Sequence, residues 1–473
     1  MSTSVRPVGS ARPAVPVALP RARRRRPGPV PAWWRDASAG AAWAAVLATV
    51  TLWVHDGGVT GVPTDPMTSF GRLTGLLASV LMLLQVAILA RIPWVEQAWG
   101  QDGLARTHRW VGFGSFWLMV AHVVMITVGY AGGWAGAAAE LVSLVLVLPG
   151  ILLAVAGTAS VVMVVVTSVR AARRRLRYES WHLLHLYAYL GVGLALPHQL
   201  WTGEAFTSSA PARAFWWGLY AVVAGLVLIF RLALPAWRAV RHPLRVSAVE
   251  PAGPGATSVY VSGRGVADLP VRAGQFFVWR FLDGPGWTRG KPFSLSAAPT
   301  ADTLRFTAEH VGQGSLRTAG LRPGTRVVLE GPFGRLHEGV RTRRKVLLLG
   351  SGIGIAPLRA LLEDLEQAPG EVTVVHRASD RDTALLREEL AQLARDRGAT
   401  YVLLDGPRAG DGRVAPAAYA HLSDHELFLQ LVPDVADHEV YLCGSPGFMA
   451  AAQALLADLG VPPQSVHAEL FAY

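Results

Sequence analysis

The chain has 473 residues, 51% of them hydrophobic and only 16% charged, which is too long for one core and too apolar for a purely soluble protein. Its net charge of +11 comes from arginines set beside apolar runs, with no RNA- or DNA-binding motif, and this excludes nucleic acid as the partner those charges serve. The single cysteine, Cys443, excludes a disulfide framework, a cysteine-ligated iron–sulfur cluster and a zinc finger within the chain, so any metal must be held by histidine or carboxylate.

Residues 1–38, rich in Pro and Arg with RARRRR at 21–26, read as a disordered basic cytosolic tail. Residues 39–240 follow as a membrane domain. Six apolar segments there are long enough to cross the bilayer as helices: 39–55, 73–90, 110–130, 141–167, 182–200 and 214–234. Arginines alternate between the loops, with RARRRR, Arg91, Arg106, Arg109 and the RAARRRLR run at 170–177 on one side, and Asp56, Asp65, Glu140 and Glu204 on the other. Positive residues stay inside, so both termini and everything after residue 243 are expected in the cytoplasm of a protein integral to the plasma membrane.

Ionisable side chains within a bilayer are costly and usually functional. His108 and His122 on the third segment are fourteen residues apart, which leaves them about 40° apart in azimuth and about 21 Å apart in depth on one helix. His185 and His198 on the fifth are thirteen apart, about 140° in azimuth, and Pro197 with Gly191 and Gly193 offers the local rewinding that would align them. Both helices run outward, so His108 faces His185 near the inside and His122 faces His198 near the outside. A single membrane histidine is ordinarily a hydrogen-bonding group between helices; four at matched depths fit two haem irons, each clamped axially. His182, one turn from His185, is the alternative inner ligand.

After His242-Pro243 the texture changes to short alternating strands with Gly and Pro turns, as in VRAGQFFVWRF at 271–281, and predicts an antiparallel β-barrel over 243–338. From 343 to 473 strands alternate with helices (KVLLLG, EVTVVH, EVYLCG), the pattern of a parallel α/β nucleotide-binding domain. GSGIGIAP at 350–357 follows a strand and opens a helix, placing Gly350, Gly352 and Gly354 for close backbone approach to phosphate. After the second strand, His376, Arg377, Ser379 and Arg381 put positive charge where a 2′-phosphate would lie, which favours NADPH over NADH.

The histidine pairs resemble the ferric reductase and NADPH oxidase family of transmembrane flavocytochromes b, over roughly 39–473. The cytosolic half is similar to the ferredoxin–NADP reductase type of FAD and NAD(P) module, chiefly through KPFSLSAAP at 291–299, although the oxidases begin this stretch with His or Arg. The resemblance implies that Lys291, Pro292, Phe293, Ser294, Leu295 and Ser296 lie along FAD, with the Ser294 hydroxyl near the flavin ring and Lys291 near the pyrophosphate. In VGQGS at 311–315, Gly312, Gly314 and Ser315 would turn backbone N–H groups to the same pyrophosphate. Cys443 and Gly444 would line the path of hydride transfer, unless Cys443 is a buried small hydrophobe, and Phe471 or Tyr473 would cover the flavin ring. The cofactors implied are FAD, two haem b and NADPH or NADH.

The expected activity is oxidation of NAD(P)H on the cytoplasmic side and delivery of electrons to a small outer-face acceptor, dioxygen or a ferric chelate. Arg72, at the outer mouth of the second helix, would stabilise a haem propionate or a developing anion there. A partner protein as acceptor and a haem-binding sensor without turnover are the rival readings.

Overall fold

The computed structural model describes residues 31, 33–169, 172, 175–176, 178–207, 209–284, 289–410 and 412–470. The basic run at 21–26 and most of that at 170–177 lie outside the described residues. The chain divides into two compact units, one within 29–238 and the other built mainly from 239–332 and 336–473.

The first unit is helical: α1 (Trp33–His55), α2 (Pro66–Ile88), α3 (Gln101–Tyr130), α4 (Ala137–Val147), α5 (Ile151–Ser168), α6 (Tyr178–Thr202), and α7 (Ala210–Val227), which continues through a π-helical turn at Leu228–Ala233 into α8 (Leu234–Arg241). That turn lies just ahead of Pro235, which has no N–H to continue the ordinary helical ladder. The expected fourth segment is two helices instead of one. Pro149 disfavours helical backbone at Leu148, which is extended, and Gly150 turns the chain at φ 83°.

Among the described residues five helices are long and apolar enough to cross a membrane: Trp33–His55, Pro66–Ile88, Gly103–Tyr130, Ile151–Ser168 and Ala210–Arg241. The expected fifth segment is the helix α6, which carries the second histidine pair; its histidines, tyrosines and Gln199 make it more polar than its neighbours. Pro197 sits inside α6 without ending it. Gly191 serves a close crossing, because α5 packs on α6 where a Cβ on Gly157 would lie 2.7 Å from the Gly191 carbonyl oxygen.

The second unit opens with β1 (Leu244–Pro251), β2 (Ala256–Gly263), β3 (Phe276–Phe281), β4 (Lys291–Ser294), β5 (Thr303–Glu309), a short helix α9 (Gln313–Ala319) and β6 (Arg326–Phe333). These strands form a six-stranded sheet in the order β4-β3-β6-β1-β2-β5, antiparallel in its register. Its two edge strands meet where Leu295 bridges Phe306 and the Ser296 N–H donates to the Arg305 carbonyl at 2.8 Å. Alternate residues of β3 point inward, and Phe277, Trp279, Phe293 and Phe306 fill the interior, with Phe293 stacked on Phe306 at 4.7 Å.

The remainder is a five-stranded parallel sheet of β7 (Val346–Ser351), β8 (Val372–Ala378), β9 (Thr400–Asp405), β10 (Glu439–Gly444) and β11 (Val466–Leu470), in the order β11-β10-β7-β8-β9. Helices α10 (Ile355–Asp364), α11 (Arg387–Arg397), α12 (Asp424–Leu431) and α13 (Pro446–Asp458) supply the flanking layers. Strands buried on both faces read as continuous apolar runs, as VLLL and VYL do here. Strand order reverses between β7 and β10, so the crevice for a ligand lies at their carboxyl ends, where Gly350 faces Cys443 in register.

Candidate functional site

The two histidines of α3 are seated against α2. Nδ1 of His122 lies 2.8 Å from the Gly71 carbonyl oxygen, and Nδ1 of His108 lies 3.3 Å from that of Gln85. Gly75 makes the first seat possible, since a Cβ there would fall 2.5 Å from His122 Nδ1. On α6, His198 Nδ1 sits 2.6 Å from the Ala195 carbonyl oxygen, and His185 Nδ1 sits 3.3 Å from the Ser168 hydroxyl, which also accepts the Trp181 indole N–H. In His108, His122 and His198 the Nδ1 partner is a carbonyl oxygen, which only accepts, so Nδ1 carries the hydrogen and Nε2 the lone pair, the arrangement that orients a metal-bound imidazole; the Ser168 hydroxyl at His185 can accept from Nδ1–H or donate to bare Nδ1.

The rings of His108 and His185 have centroids 5.9 Å apart. Two imidazoles sharing one metal ion at about 2 Å per bond would have centroids roughly 6 Å apart, so this pair has the span an iron needs. His198 lies within electrostatic range of His122. Arg72 forms an ion pair with Glu204, both side chains about half exposed, so its guanidinium already has a carboxylate partner.

In the second unit a small, partly open cleft lies between the β-sheet and the nucleotide-type domain, lined by Phe293, Ser294 and Thr307 from one and Ile353, Ala356 and Pro357 from the other. The Ser294 hydroxyl is buried there without a hydrogen-bond partner, a cost that a ligand in the cleft would remove. Pro292 lines the same wall. The side chain of Lys291 lies across the backbone of Gly314, where a Cβ would meet its Cε at 2.4 Å, so the two sequence motifs expected to hold one cofactor do converge.

Several expected site residues have other tasks. Leu295 is fully buried in the sheet's interior, and Ser296 is fully buried beneath Arg305 and Arg359. Gly312 and Ser315 engage each other: the Gly312 N–H donates to the Ser315 hydroxyl and the Ser315 N–H to the Gly312 carbonyl, which withdraws both from the expected phosphate contact. Of the GSGIGIAP glycines only Gly352, at φ 56° with open space beside it, keeps the exposed turn expected for phosphate. Gly350 lets α10 pack on β7, a Cβ there striking Leu358 and Ile355, and Gly354 lets α10 approach β10, a Cβ there falling 2.4 Å from the Cys443 carbonyl oxygen.

Arg377 requires the firmest correction. It is 4% exposed, on β8, and its guanidinium donates to the carbonyls of Val414 (2.9 Å), Leu404 (3.1 Å), Gly406 (2.7 Å) and Ala378. It is a buried clamp under the sheet, not a phosphate contact. His376 is fully buried as well, its Nδ1 2.9 Å from the Tyr401 hydroxyl, and burial lowers its pKa to about 4. Of the expected cations only Arg381 is exposed, 3.9 Å from Asp405.

Cys443 is completely buried in the core beside β7, and that burial, followed by the nearby Glu469, pushes its thiol well above the ordinary range. It is therefore a small core residue and not a hydride-path group; Gly444 beside it is packed against Phe448. Phe471 and Tyr473 lie outside the described residues. The sequence reading passed over Glu469, which pairs in register with Cys443 at the switch between strands and accepts the Leu336 N–H at 3.3 Å. Its signal was present in the terminal ELFAY, an acid entering an otherwise apolar strand end.

Residues 74–196 match the ferric reductase like transmembrane component, and residues 348–454 match the oxidoreductase NAD-binding domain. Over 220 residues the chain is 25% identical to a flavohemoprotein of Bacillus subtilis (strain 168), covering 46% of this chain and 55% of that protein. Over 151 residues it is 30% identical to a component of the Na(+)-translocating NADH-quinone reductase of Klebsiella pneumoniae, covering 31% of this chain and 37% of that component. The chain thus spans about half, or less, of the curated relatives it matches. Among solved structures, the FAD/NAD binding domain of a nitric oxide dioxygenase from Vibrio cholerae is similar at 22% identity and a TM-score of 0.40, over 48% of this chain and 98% of that one. The chain thus joins a segment that matches a ferric reductase like transmembrane component to one that matches an NAD-binding oxidoreductase domain, and five of its described helices are long and apolar enough to cross a membrane.

Proposed function

We propose that the chain is an NAD(P)H-dependent oxidoreductase of the plasma membrane that carries electrons from the cytoplasm to a small acceptor on the outer face, dioxygen or a ferric chelate. The observation that carries this reading is the pairing of His108 with His185, their ring centroids 5.9 Å apart, on two helices that also carry His122 and His198, each of the four with Nδ1 engaged. Two b-type haems held by these pairs, and FAD in the cleft, would supply the step from two-electron hydride chemistry to single-electron transfer.

The chain's own residues then bind and orient. Ser294 offers an unsatisfied hydroxyl to the flavin edge, Lys291 over Gly314 offers positive charge to its pyrophosphate, and Gly352 leaves room for nucleotide phosphate. Ile353, Ala356 and Pro357 form an apolar wall that keeps water from the nicotinamide. Six spans, with α6 as one, place both termini and the second unit in the cytoplasm by the distribution of arginines between loops. Arg72, with Glu204 beside it, would meet the acceptor at the outer mouth. Withdrawal of His376 and Arg377 removes most of the charge argument for NADPH, so the dinucleotide is assigned only as NADPH or NADH, with Arg381 the remaining exposed cation of that set.

The test is one absorption spectrum of the purified protein, oxidised and then with NADPH or NADH under anaerobic conditions. Flavin bands and two low-spin haems that reduce in turn are expected. A preparation with one haem or none per chain, or haem that no dinucleotide reduces, overturns the reading.

A further inference from the structure

Behind the cleft a cluster of two buried arginines and two partly exposed carboxylates ties its two walls together. Arg305 on β5, 8% exposed, donates from Nη1 to Oε1 of Glu389 at 2.8 Å, from Nη2 to the Ser296 carbonyl at 2.6 Å and from Nε to the Ser296 hydroxyl at 3.0 Å. Arg359 on α10, also 8% exposed, pairs through Nη2 with the same Glu389 oxygen at 2.7 Å, donates from Nη1 to the Ser296 carbonyl at 3.2 Å, and pairs with Glu363. Glu363 in turn accepts the Ala298 N–H at 2.9 Å. One carboxylate oxygen on α11 therefore joins a guanidinium from the β-sheet to a guanidinium from the parallel domain, and both grip one carbonyl.

Stability alone does not account for such a cluster, because taking two guanidinium groups out of water costs about as much as their attraction to the carboxylates returns. What planar guanidinium forks add is fixed direction. The cluster lies directly behind both walls of the cleft. Ser296 is two residues from Ser294, and its hydroxyl also accepts from Thr307, another wall residue, at 2.8 Å. Arg359 is two residues beyond Pro357 on the opposite wall. A shift in the arginine–carboxylate geometry is a shift in the width of the cleft.

We propose that Arg305, Glu389 and Arg359 are positioning residues that set the spacing of the two walls and thereby align nicotinamide against flavin. The proposal rests on the reading of this cleft as the flavin and nicotinamide site. None of the three faces the reacting atoms; they act through Ser296, Thr307 and α10.

The experiment uses the full-length protein in detergent with FAD, comparing wild type, Glu389→Gln and, as control on the same helix, Glu388→Gln, whose carboxylate is 90% exposed. Hydride transfer from saturating NADH to flavin is followed by stopped flow, nucleotide affinity by titration, and opening of the latch by hydrogen exchange at the Ala298 amide. Glu389→Gln is expected to slow transfer by about tenfold to a hundredfold while nucleotide affinity changes by less than about twofold, since misplacement of reacting groups costs rate more than binding. Exchange at Ala298 should rise, and Glu388→Gln should behave as wild type. Transfer and exchange at wild-type values in Glu389→Gln overturn the proposal, as does a loss confined to affinity or one equalled by Glu388→Gln. Should Glu389→Gln fail to fold, Arg305→Lys keeps the charge without the fork, and the same split between rate and affinity is required of it. If wild type binds no flavin, the functional reading fails by itself, and exchange at Ala298 still decides whether Glu389 holds the walls.

Discussion

Replacing Arg377 by alanine separates two accounts of the nucleotide end of the molecule. Had the side chain bound a 2′-phosphate, Arg377→Ala would weaken NADPH selectively and leave the fold intact. In the structure it instead removes three well-formed charge-assisted hydrogen bonds, to Val414, Leu404 and Gly406, together with that to Ala378, all of them to backbone carbonyls. Such bonds are worth about 1.5–3 kcal/mol each, but water can enter on the Gly406 side and the losses are not additive, so a destabilisation of about 3–5 kcal/mol is expected. That is a large share of the about 5–15 kcal/mol that holds a domain folded. Denaturant unfolding of wild type and Arg377→Ala measures it, alongside the ratio of kcat/KM for NADPH and NADH. The variant should unfold at clearly lower denaturant with that ratio unchanged. An unchanged midpoint with a selective loss of NADPH would refute the structural role.

Three further expectations test other parts. His122→Leu should remove the outer haem's absorption while NAD(P)H-driven flavin reduction continues, because the cleft and nucleotide loop belong wholly to the second unit; loss of both together would contradict the division of labour. Gly354→Ala should cost about 1–3 kcal/mol and raise KM for nucleotide, since its Cβ meets only backbone of Cys443 and Gly444, whereas Gly352→Ala, in open space, carries only a left-handed strain of about 1–2 kcal/mol; denaturant midpoints compare the two. His376, fully buried with Nε2 lacking a hydrogen-bond partner, has a folded pKa of about 4 against 6.5 unfolded. The unfolded chain takes up a proton that the folded one refuses, so stability is lost as pH falls from 6.5 toward 4, by up to about 3 kcal/mol; His376→Leu should flatten that part of the acid-unfolding curve.

The order of membrane helices, sheet strands and parallel domain was legible because each has its own period and length, and the histidine spacings on α3 and α6 could be read before any coordinates. Arg377 was misread for a physical reason. The second strand of the parallel sheet was taken to end with the apolar EVTVVH, but it runs on to Ala378, and in a sheet covered on both faces residue 377 must point inward like Val375. An arginine there reads as a loop cation by type and as a core clamp by position; only the strand's end decides. The glycines of GSGIGIAP failed in a related way. Composition marks all three as permissive, while the separate demands of helix packing, a left-handed turn and contact with β10 depend on chain far away in sequence. The break at Pro149-Gly150 was legible, since both residues stop helices, although 141–167 was taken as one apolar run.

The seat of His122 shows how much of a ligand's chemistry lies outside the ligand. Spacing alone puts His108 and His122 on related faces of α3, but it is silent on which ring nitrogen is available. That choice is made on α2, where Gly71 supplies the carbonyl that takes Nδ1 and Gly75, one turn on, supplies the empty space into which the ring fits. Small residues four apart on a membrane helix are ordinarily read as allowing two backbones to approach. Here the same pair admits an imidazole between the helices and fixes its tautomer, so the packing motif and the ligand motif are one feature divided between two helices. The inner histidine uses the carbonyl of Gln85 on the same helix at 3.3 Å, which makes α2 the template that turns Nε2 of both α3 histidines the same way.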